Sequence, residues 1–366
     1  MKADTMPDLP VVEAARQASG MGLRYVSDDA PGIRRRRSGR GFSYRDSDGN
    51  IIRDPRVLAR IRALAIPPAY RDVWICTSER GHLQATGRDA RGRKQYRYHP
   101  RWRALRDVDK FDRLVAFGRA LPALRRRMRK DLALSGYPRD KVLAIVVTVM
   151  SATLMRIGNV EYQRSNRSYG LTTLRNRHAS FVRGGGLRLK FRGKSGKEHD
   201  IAIGDRRLVR MVRALHQLPG QLLFQYRGND GELQPVDSGA VNDYLRDSMG
   251  EDFTAKDFRT WGATLAAFQQ LAAMPAPETP SQRLLASLER EVVAGIAEAL
   301  GNTVSVCRKS YIDPCVFAGW QDGSGSLQRV ARAARSERQW EAAALRYLAR
   351  AHRVASKPTS RRRKPG

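Results

Sequence analysis

The chain has 366 residues, with 68 Lys and Arg against 36 Asp and Glu, and a formal net charge of +32. This surplus is spread over the whole length, which disfavours a compact monomer by self-repulsion and indicates a polyanionic partner. The three cysteines have no C-x-x-C spacing, which excludes a zinc knuckle and a disulfide framework and favours a reducing compartment. We therefore expect a cytoplasmic protein.

Membrane binding is the competing use of positive charge. The longest apolar run, residues 142–155, contains three hydroxyl side chains and is too short to cross a bilayer. The acidic N-terminus lacks the pattern of a signal peptide. We expect no membrane partner.

The first third of the chain is predicted to be rich in β-strands. Residues 1–21 are interpreted as a frayed start, and the segments that follow are short and alternating, with turn residues between them. The predicted elements are a helix at 55–65 and strands at 42–44, 51–52, 73–76, 82–85 and 95–98. The run Arg34–Arg37 is interpreted as a solvated basic face. Residues 22–104 are thus predicted to form a small β-rich domain.

Helical periodicity dominates from residue 105 onward. Helices are predicted at 111–124, 142–156, from about 205, at 238–249, 255–273 and 281–300, with two strands at 187–191 and 200–203. These strands form a small β-hairpin within a larger, mainly α-helical domain, residues 105–325. Residues 326–366 are predicted to be a basic helical extension with a disordered tail at its end. The fold class is therefore α+β.

Basic residues and tyrosines alternate around residue 90. The loop Gly87–Lys94 contains flexible glycines and four cations, among them Arg88, and two tyrosines follow it. Cations suit phosphate contacts, and a ring or hydroxyl nearby fixes register. A solvated basic hairpin is the alternative. The loop is a candidate nucleic-acid contact.

Tyr311 is the candidate nucleophile. Arg308 and Lys309 precede it, and Pro314 is expected to stop a helix there. A free tyrosine with a pKa near 10 is about 0.1% phenolate at neutral pH, and nearby cations would favour the phenolate while holding a phosphate in front of it. An ordinary tyrosine at a helix end is the alternative, unless other residues converge on the same chemistry.

Two arginines are candidates for such convergence. Arg156 ends the most apolar helix, where its charge needs either a carboxylate or a phosphate as partner. Thr254–Asp257 resembles a capping box, which places Lys256 and Arg259 in the first turns of a helix. Cations there oppose the helix dipole, so an anionic ligand is favoured. A structural role is the alternative for each arginine taken alone.

Lys194 completes the set. It lies at the tip of the glycine-flanked hairpin, where an ammonium could protonate an alkoxide leaving group, although a solvated lysine is the alternative. Two guanidiniums, a lysine and a tyrosine together suit in-line attack on a phosphodiester. No carboxylate cluster or His/Cys spacing predicts a metal site, so we expect metal-independent chemistry through a covalent phosphotyrosine.

In order and context these segments resemble the type IB DNA topoisomerases of the poxvirus-like group, which also occur in bacteria. The resemblance covers about residues 22–320. The matching segments are Ile66–Tyr70, Gln84–Asp89, Lys94–Tyr98, Arg156–Asn159, Gly170–His178, Phe191–Lys194, Lys256–Gly262 and the stretch around Tyr311.

The resemblance implies a role for each candidate. Tyr311 would form a 3′-phosphotyrosyl bond and release a 5′-hydroxyl strand, Arg156 and Arg259 would stabilise the transition state, and Lys194 would be the general acid. Controlled rotation about the intact strand and reversal of the attack would relax supercoils without ATP or any other cofactor. The partner would be double-stranded DNA, at the nucleoid.

The resemblance also implies DNA contacts in the first domain. Gln95, Tyr96 and Tyr98 match positions that contact DNA near the cleavage site, and Arg88 and Lys256 are further candidates. A monomer would close its two domains around the duplex as a clamp.

One catalytic position departs from the family pattern, because Asn302 stands where a histidine is usual. A neutral amide can donate to a phosphate oxygen but offers no charge-assisted bond. Tyrosine recombinases are the main alternative. They usually carry a histidine where Lys256 stands, and a helical rather than a β-rich N-terminal domain. A non-enzymatic basic DNA-binding protein is the second alternative.

Overall fold

The computed structural model describes residues 9–39, 41–90, 92, 94–228, 230–274 and 281–355. The chain divides into two compact units, residues 1–110 and 111–366. The first contains an antiparallel sheet and the second is mainly helical, so the predicted α+β class is confirmed.

The first unit is built on a five-stranded sheet with the order β2-β1-β3-β4-β5, in which all neighbouring strands are antiparallel. Its elements are α1 (Leu9–Gly20), β1 (Ile33–Ser38), β2 (Gly41–Arg45), α2 (Pro55–Ala63), β3 (Arg71–Ile75), β4 (Leu83–Arg88) and β5 (Lys94–Tyr98). Residues 9–20 are therefore helical, where the sequence predicts a frayed start. Residues 1–8 lie outside the described part of the chain.

Strand β1 is also an element that the sequence does not predict. Arg34–Arg37 pair with β2, and Arg34, Arg36 and Arg37 are exposed, which agrees with a solvated basic face. Arg35 explains why an arginine is accommodated there: its guanidinium lies 4.2 Å from the ring centroid of Phe42 and donates to the carbonyls of Ile66, Pro67 and Tyr70. Three backbone acceptors and a ring face satisfy a charge that would otherwise be costly to half-bury.

The second unit is a helical assembly around one large apolar core. Its helices are α3 (Pro100–Leu132, from residue 111 onward), α4 (Arg139–Thr153), α5 (Val160–Asn166), α6 (Arg206–His216), α7 (Ser238–Met249), α8 (Ala255–Ala273), α9 (Gln282–Leu300), α10 (Val304–Tyr311), α11 (Pro314–Gln321), α12 (Ser326–Ala331) and α13 (Glu337–Ala355). Helix α4 lies at the centre, with residues 142–147, 149 and 150 buried. This helix is apolar on every side and therefore has no amphipathic periodicity. A helix that is surrounded by other helices requires this pattern.

Two small sheets complete this unit. One has the strand order β6-β7-β8, from β6 (Ala179–Val182), β7 (Gly186–Arg192) and β8 (Glu198–Ile203), and the other pairs β9 (Gln225–Arg227) with β10 (Leu233–Pro235). The predicted hairpin is β7–β8. Its turn contains Lys194, and Ser195 has a left-handed φ of 64°. A left-handed residue at this point reverses the chain within a few residues, so Lys194 lies at the tip.

Helix α13 packs against α8 and α3 rather than projecting as a loose extension. Ala343, Ala344 and Leu348 are buried. Glu341 accepts two hydrogen bonds, at 2.6 and 2.7 Å, from Arg125 on α3. The predicted tail around Ser360–Lys364 lies outside the described residues.

In the part of the chain that the structure describes, no helix is both long enough and apolar enough to cross a membrane.

An aromatic cluster fixes α8 against α3. Phe117, which is fully buried, meets Phe253 and Phe258 edge-to-face at centroid distances of 5.3 and 5.0 Å, and it lies 6.1 Å from Trp261. Aromatic pairs in this geometry add to the free energy of area burial.

We expect Phe117→Ala to lower the free energy of unfolding of the second unit by about 3–5 kcal/mol, because it removes the centre of this cluster and leaves a cavity. Thermal and denaturant unfolding measure this. Val160→Ala, which truncates a side chain that is 47% exposed, is the matched control and should change stability by less than about 0.5 kcal/mol. Equal effects of the two variants would show that the aromatic cluster is not a stabilising centre.

Candidate active site

Arg259 is a buried charge that has no acidic partner in the part of the chain that the structure describes. Its side chain lies on the second turn of α8, and the residue is 4% exposed. The predicted capping box is present, with Thr254 N donating to Asp257 Oδ2 at 2.8 Å. The guanidinium donates to the carbonyl of Leu154 and, at 2.8 Å, to that of Leu300. Both acceptors lie just past or at helix C-termini, where carbonyls without intrahelical partners favour cations.

Arg156 approaches the same helix end. Helix α4 stops at Leu154, whose φ of 52° turns the chain so that Arg156 leaves the core helix two residues later. Its Nη1 donates to the Leu300 carbonyl at 3.4 Å and its Nη2 to Asn302 Oδ1 at 2.5 Å. Within the described residues neither Arg156 nor Arg259 pairs with a carboxylate. Burial lowers the pKa of both groups, and the charge of Arg156 further lowers the pKa of Arg259.

Unpartnered donors remain between these side chains. Arg259 Nε and Asn302 Nδ2 are buried and have no hydrogen-bond partner among the described residues. Buried donors in native proteins are nearly always satisfied, so two together indicate a ligand that accepts. Two guanidiniums beside them make that ligand an anion, and the oxygens of a phosphate fit.

Tyr311 is the last residue of α10, a helix that begins after the Thr303 cap. The Arg259 guanidinium carbon lies 5.1 Å from the centroid of its ring. Burial alone would raise the pKa of Tyr311, but Arg259, Arg156 and Asn302 together bring it below its ordinary value. The phenol is therefore easier to ionise here than in water, as the chemistry of a nucleophile requires.

The cations expected to activate Tyr311 are not its sequence neighbours. Arg308 pairs with Glu289 and lies 5.4 Å from the ring centroid of Phe317, and Lys309 is exposed. The cations that lower the pKa of Tyr311 are Arg259 and Arg156 instead. Lys309 is two residues before Tyr311 and so faces another side of the helix, whereas Arg308 has the spacing of a neighbour but is bound by Glu289 instead.

Lys194 joins the arginines at a small cavity. The lining includes Lys194, Arg156, Arg259 and Leu300, and the Lys194 side chain is exposed. An exposed lysine at a hairpin tip can change rotamer freely, which a proton donor to a bound strand requires. Lys256 is exposed in the first turn of α8.

Two residues of this site were not predicted from the sequence. His199, on β8 opposite Phe191, stacks on that ring at 4.9 Å and lines the same cavity. Burial, and then Arg156, lower its pKa, which favours the neutral imidazole. Its position across the strand pair from Phe191, next to the lysine hairpin, could have indicated it.

Thr264 is the second such residue, and no sequence signal marks it. Its hydroxyl donates to the Tyr311 carbonyl at 3.2 Å and accepts from Asp313 N at 3.1 Å. Thr264 lies on α8, the helix that carries Arg259, so one helix fixes both the backbone of Tyr311 and the arginine under its ring.

The remaining candidates lie on the first unit, at the β4–β5 edge of its sheet. Tyr96 and Tyr98 are 47% and 38% exposed and stack at a centroid distance of 6.0 Å. Gln95 Nε2 donates to Asp89 at 3.0 Å. Exposed Arg88 lies 3.8 Å from Asp72 and donates to the Gly92 carbonyl. Two exposed rings with a cation beside them fit a contact with nucleic acid.

Comparison with known proteins identifies the family. The family model described as eukaryotic DNA topoisomerase I, catalytic core, matches residues 99–329, and that described as bacterial DNA topoisomerase IB, N-terminal domain, matches residues 41–89. The DNA topoisomerase 1B of Acanthamoeba polyphaga mimivirus is 33% identical over 288 residues, which cover 77% of this chain and 85% of the viral protein. This chain belongs to the type IB DNA topoisomerases.

More distant relatives agree. DNA topoisomerase I of Monkeypox virus is 22% identical over 251 residues, 66% of this chain and 73% of that protein. DNA topoisomerase 1 of Mycosarcoma maydis is 24% identical over 182 residues, 45% of this chain and 18% of that protein. The chain is thus a DNA-acting isomerase. The recombinase and the non-enzymatic binder are not favoured.

We expect Arg259→Ala to slow covalent cleavage of duplex DNA by about 10²–10³-fold, because removing one preorganised donor to a developing charge costs about that much. Asn302→Ala should cost only about tenfold, since a neutral donor forms a weaker bond to a phosphate oxygen than a guanidinium does. Single-turnover adduct formation measures both rates, and thermal unfolding shows whether each variant is folded. Comparable losses for two folded variants would contradict the ranking.

Proposed function

We propose that this topoisomerase relaxes supercoiled duplex DNA through a 3′-phosphotyrosyl intermediate on Tyr311. The observation that carries the proposal is the placement of Tyr311 over Arg259, beside Arg156, with no carboxylate paired to either arginine among the described residues. Such a site is short of negative charge until a phosphate enters it.

The proposed cleavage is a transesterification. The Tyr311 oxygen attacks the phosphorus, the bond to the 5′-oxygen breaks, and the phenolic proton passes to solvent water as the new ester forms. Arg156 and Arg259 offset charge on the non-bridging oxygens, with Asn302 as a further donor. Lys194 gives a proton to the departing 5′-oxygen, which becomes a hydroxyl.

The reverse attack by that hydroxyl reseals the strand after rotation about the intact one. One phosphoester replaces another in each direction, so neither ATP nor a metal ion is required by the stoichiometry. The energy of the broken bond stays in the protein–DNA link.

The clamp belongs to the same proposal. A monomer would use residues 22–104 and 105–325 as two domains that enclose the duplex, with 326–366 as a basic extension, and Arg88, Gln95, Tyr96, Tyr98 and Lys256 would contact DNA. The net charge of +32 supports an extended phosphate footprint. Genomic DNA as substrate would place the protein at the nucleoid.

The deciding experiment uses negatively supercoiled plasmid with EDTA and without ATP. We expect relaxation by the wild-type chain and none by Tyr311→Phe, which keeps the ring but removes the nucleophilic oxygen. Denaturant trapping should show a protein–DNA adduct for the wild type alone. Tyr226→Phe, which removes a hydroxyl bonded to Gln234 on the β9–β10 hairpin, is the matched control and should relax plasmid normally.

Each alternative gives a different result in this assay. Resolution of paired sites would indicate a recombinase, and unchanged linking number with DNA binding intact would indicate a non-enzymatic binder. Relaxation by Tyr311→Phe would remove the assignment of the nucleophile.

Salt dependence separates the two kinds of contact proposed for the first unit. We expect Arg88→Ala to reduce the slope of log K against log salt concentration by about 1, because one phosphate contact is lost. Tyr96→Ala should weaken binding at an unchanged slope, because loss of an uncharged ring changes no counterion release. Equilibrium binding of duplex DNA at several salt concentrations measures both. If binding by the wild-type chain did not depend on salt concentration, that result would argue against an enclosing clamp.

A further inference from the structure

An ion pair links the C-terminal helix to the residues that follow the nucleophile. His352 Nε2 on α13 lies 2.7 Å from Asp313 Oδ2, and Asp313 is two residues beyond Tyr311. Both groups are shielded from solvent, with side chains 19% and 3% exposed. The catalytic-core family match ends at residue 329, so α13 lies beyond it.

Asp313 caps helix α11 and also connects it to helix α8. Its Oδ1 accepts from Cys315 N at 2.9 Å and so begins α11, while its backbone N donates to Thr264 Oγ1, which in turn donates to the Tyr311 carbonyl. Ile312, between the two, is fully buried. Tyr311 is thereby held between α8 and Asp313, and a shift of Asp313 must move the backbone of the nucleophile.

The surroundings of His352 favour its charged form. Asp112 on α3 lies 3.8 Å from Nδ1, so the ring lies between two carboxylates. The hydrogen bond to Asp313 raises the pKa of His352 against the opposing effect of burial. The other titratable group of this cluster is Cys315 on α11, and burial raises the pKa of its thiol, which favours the neutral form.

We propose that His352 is a positioning residue for the cleavage reaction. Its side chain holds Asp313, and through Asp313 it holds the backbone of Tyr311. The inference rests on the proposed role of Tyr311 as nucleophile. It gives α13 a function: the helix docks through Arg125–Glu341 at one end and reaches the active-site segment through His352 near the other.

The reason why position matters is geometric. In-line attack requires the reacting oxygen close to phosphorus and opposite the leaving group, and a displacement of about 1 Å can cost about 10²-fold in rate. The bond from His352 leaves the chemistry at phosphorus unchanged and restricts where the attacking group lies.

The test is single-turnover cleavage of duplex DNA in EDTA, together with DNA affinity. We expect His352→Ala to slow adduct formation by about 10–100-fold and to leave the dissociation constant for DNA unchanged. His352→Gln, which keeps a donor at the reach of Nε2, should restore most of the rate. His352→Ala combined with Asp313→Asn should be no slower than the slower single variant, because the two side chains act as one link.

The pH profile provides a readout that a purely structural role would not move. The folded pKa of His352 is raised, so the charge-assisted bond is present at low pH and is lost as pH rises through that pKa. The ratio of wild-type to His352→Gln rates should therefore fall with rising pH. Titrations of other groups cancel in this ratio.

The matched control breaks the other anchor of α13. Glu341→Gln removes the charge paired with Arg125 and should lower thermal stability without slowing cleavage. If it slows cleavage as much as His352→Ala does, docking of the helix and not this link sets the rate, and the proposal fails. It also fails if His352→Ala cleaves at the wild-type rate, or if the rate ratio is independent of pH.

Two further outcomes are distinguishable. The potential ligand atoms of Asp313, Cys315 and His352 lie within 4.8 Å of one another. If EDTA lowered the wild-type cleavage rate to that of His352→Ala, a metal ion rather than a hydrogen bond would link these residues. That result would overturn the proposal. A wild-type chain that forms no adduct at all would instead refute the function of Tyr311.

Discussion

The site depends on two guanidiniums buried against neutral acceptors. Arg259 and Arg156 share the carbonyl of Leu300, and they also donate to the carbonyls of Leu154 and Gly301 and to the Asn302 amide oxygen. Carbonyl dipoles solvate part of each charge but do not neutralise it. A carboxylate in the same place would stabilise the empty protein and repel a phosphate, so the choice of neutral partners favours the bound state over the free one.

Helix ends explain how neutral acceptors come to be available. The C-terminus of α4 supplies the Leu154 carbonyl and that of α9 supplies Leu300, because the last carbonyls of a helix have no intrahelical donor. Gly301 is required at the second of these ends. It has a φ of 62°, and a Cβ there would lie 2.4 Å from His199. The core that packs α4 and α9 therefore also fixes the acceptors, which makes the site rigid before substrate arrives.

The sequence predicted those parts of the fold and site whose signals are local. The periodicity of α8, the capping box before Arg259 and the glycine-flanked hairpin of Lys194 are all encoded within a few residues. Strand β1 was not predicted, because four arginines in a row conceal the pairing that Phe42 and the carbonyl acceptors make possible. Local adjacency was also misleading at Arg308, whose partner Glu289 lies 19 residues away in the chain.

Long-range partners account for the rest of what sequence reasoning could not provide. Thr264 contacts Tyr311, which lies 47 residues away in the chain. His352 contacts Asp313, which lies 39 residues away. Neither residue type is distinctive, and neither position carries a motif. Their contacts with this segment arise only because the fold brings α8 and α13 to it.

Reversibility places a further constraint on the same groups. In the proposed reaction the Tyr311 oxygen attacks in cleavage and leaves in resealing, so a field that lowers its pKa makes it both more available as phenolate and a better leaving group. A carboxylate acting as a base could accept the proton of Tyr311 in cleavage, but its negative charge would disfavour the phenolate that leaves in resealing. Arginines do not have this disadvantage, because their positive charge stabilises negative charge on both the phenolate and the phosphate. This holds for cleavage and for resealing. The same argument favours an exposed lysine as the proton donor, since the group that protonates the 5′-oxygen must take the proton back when that oxygen attacks.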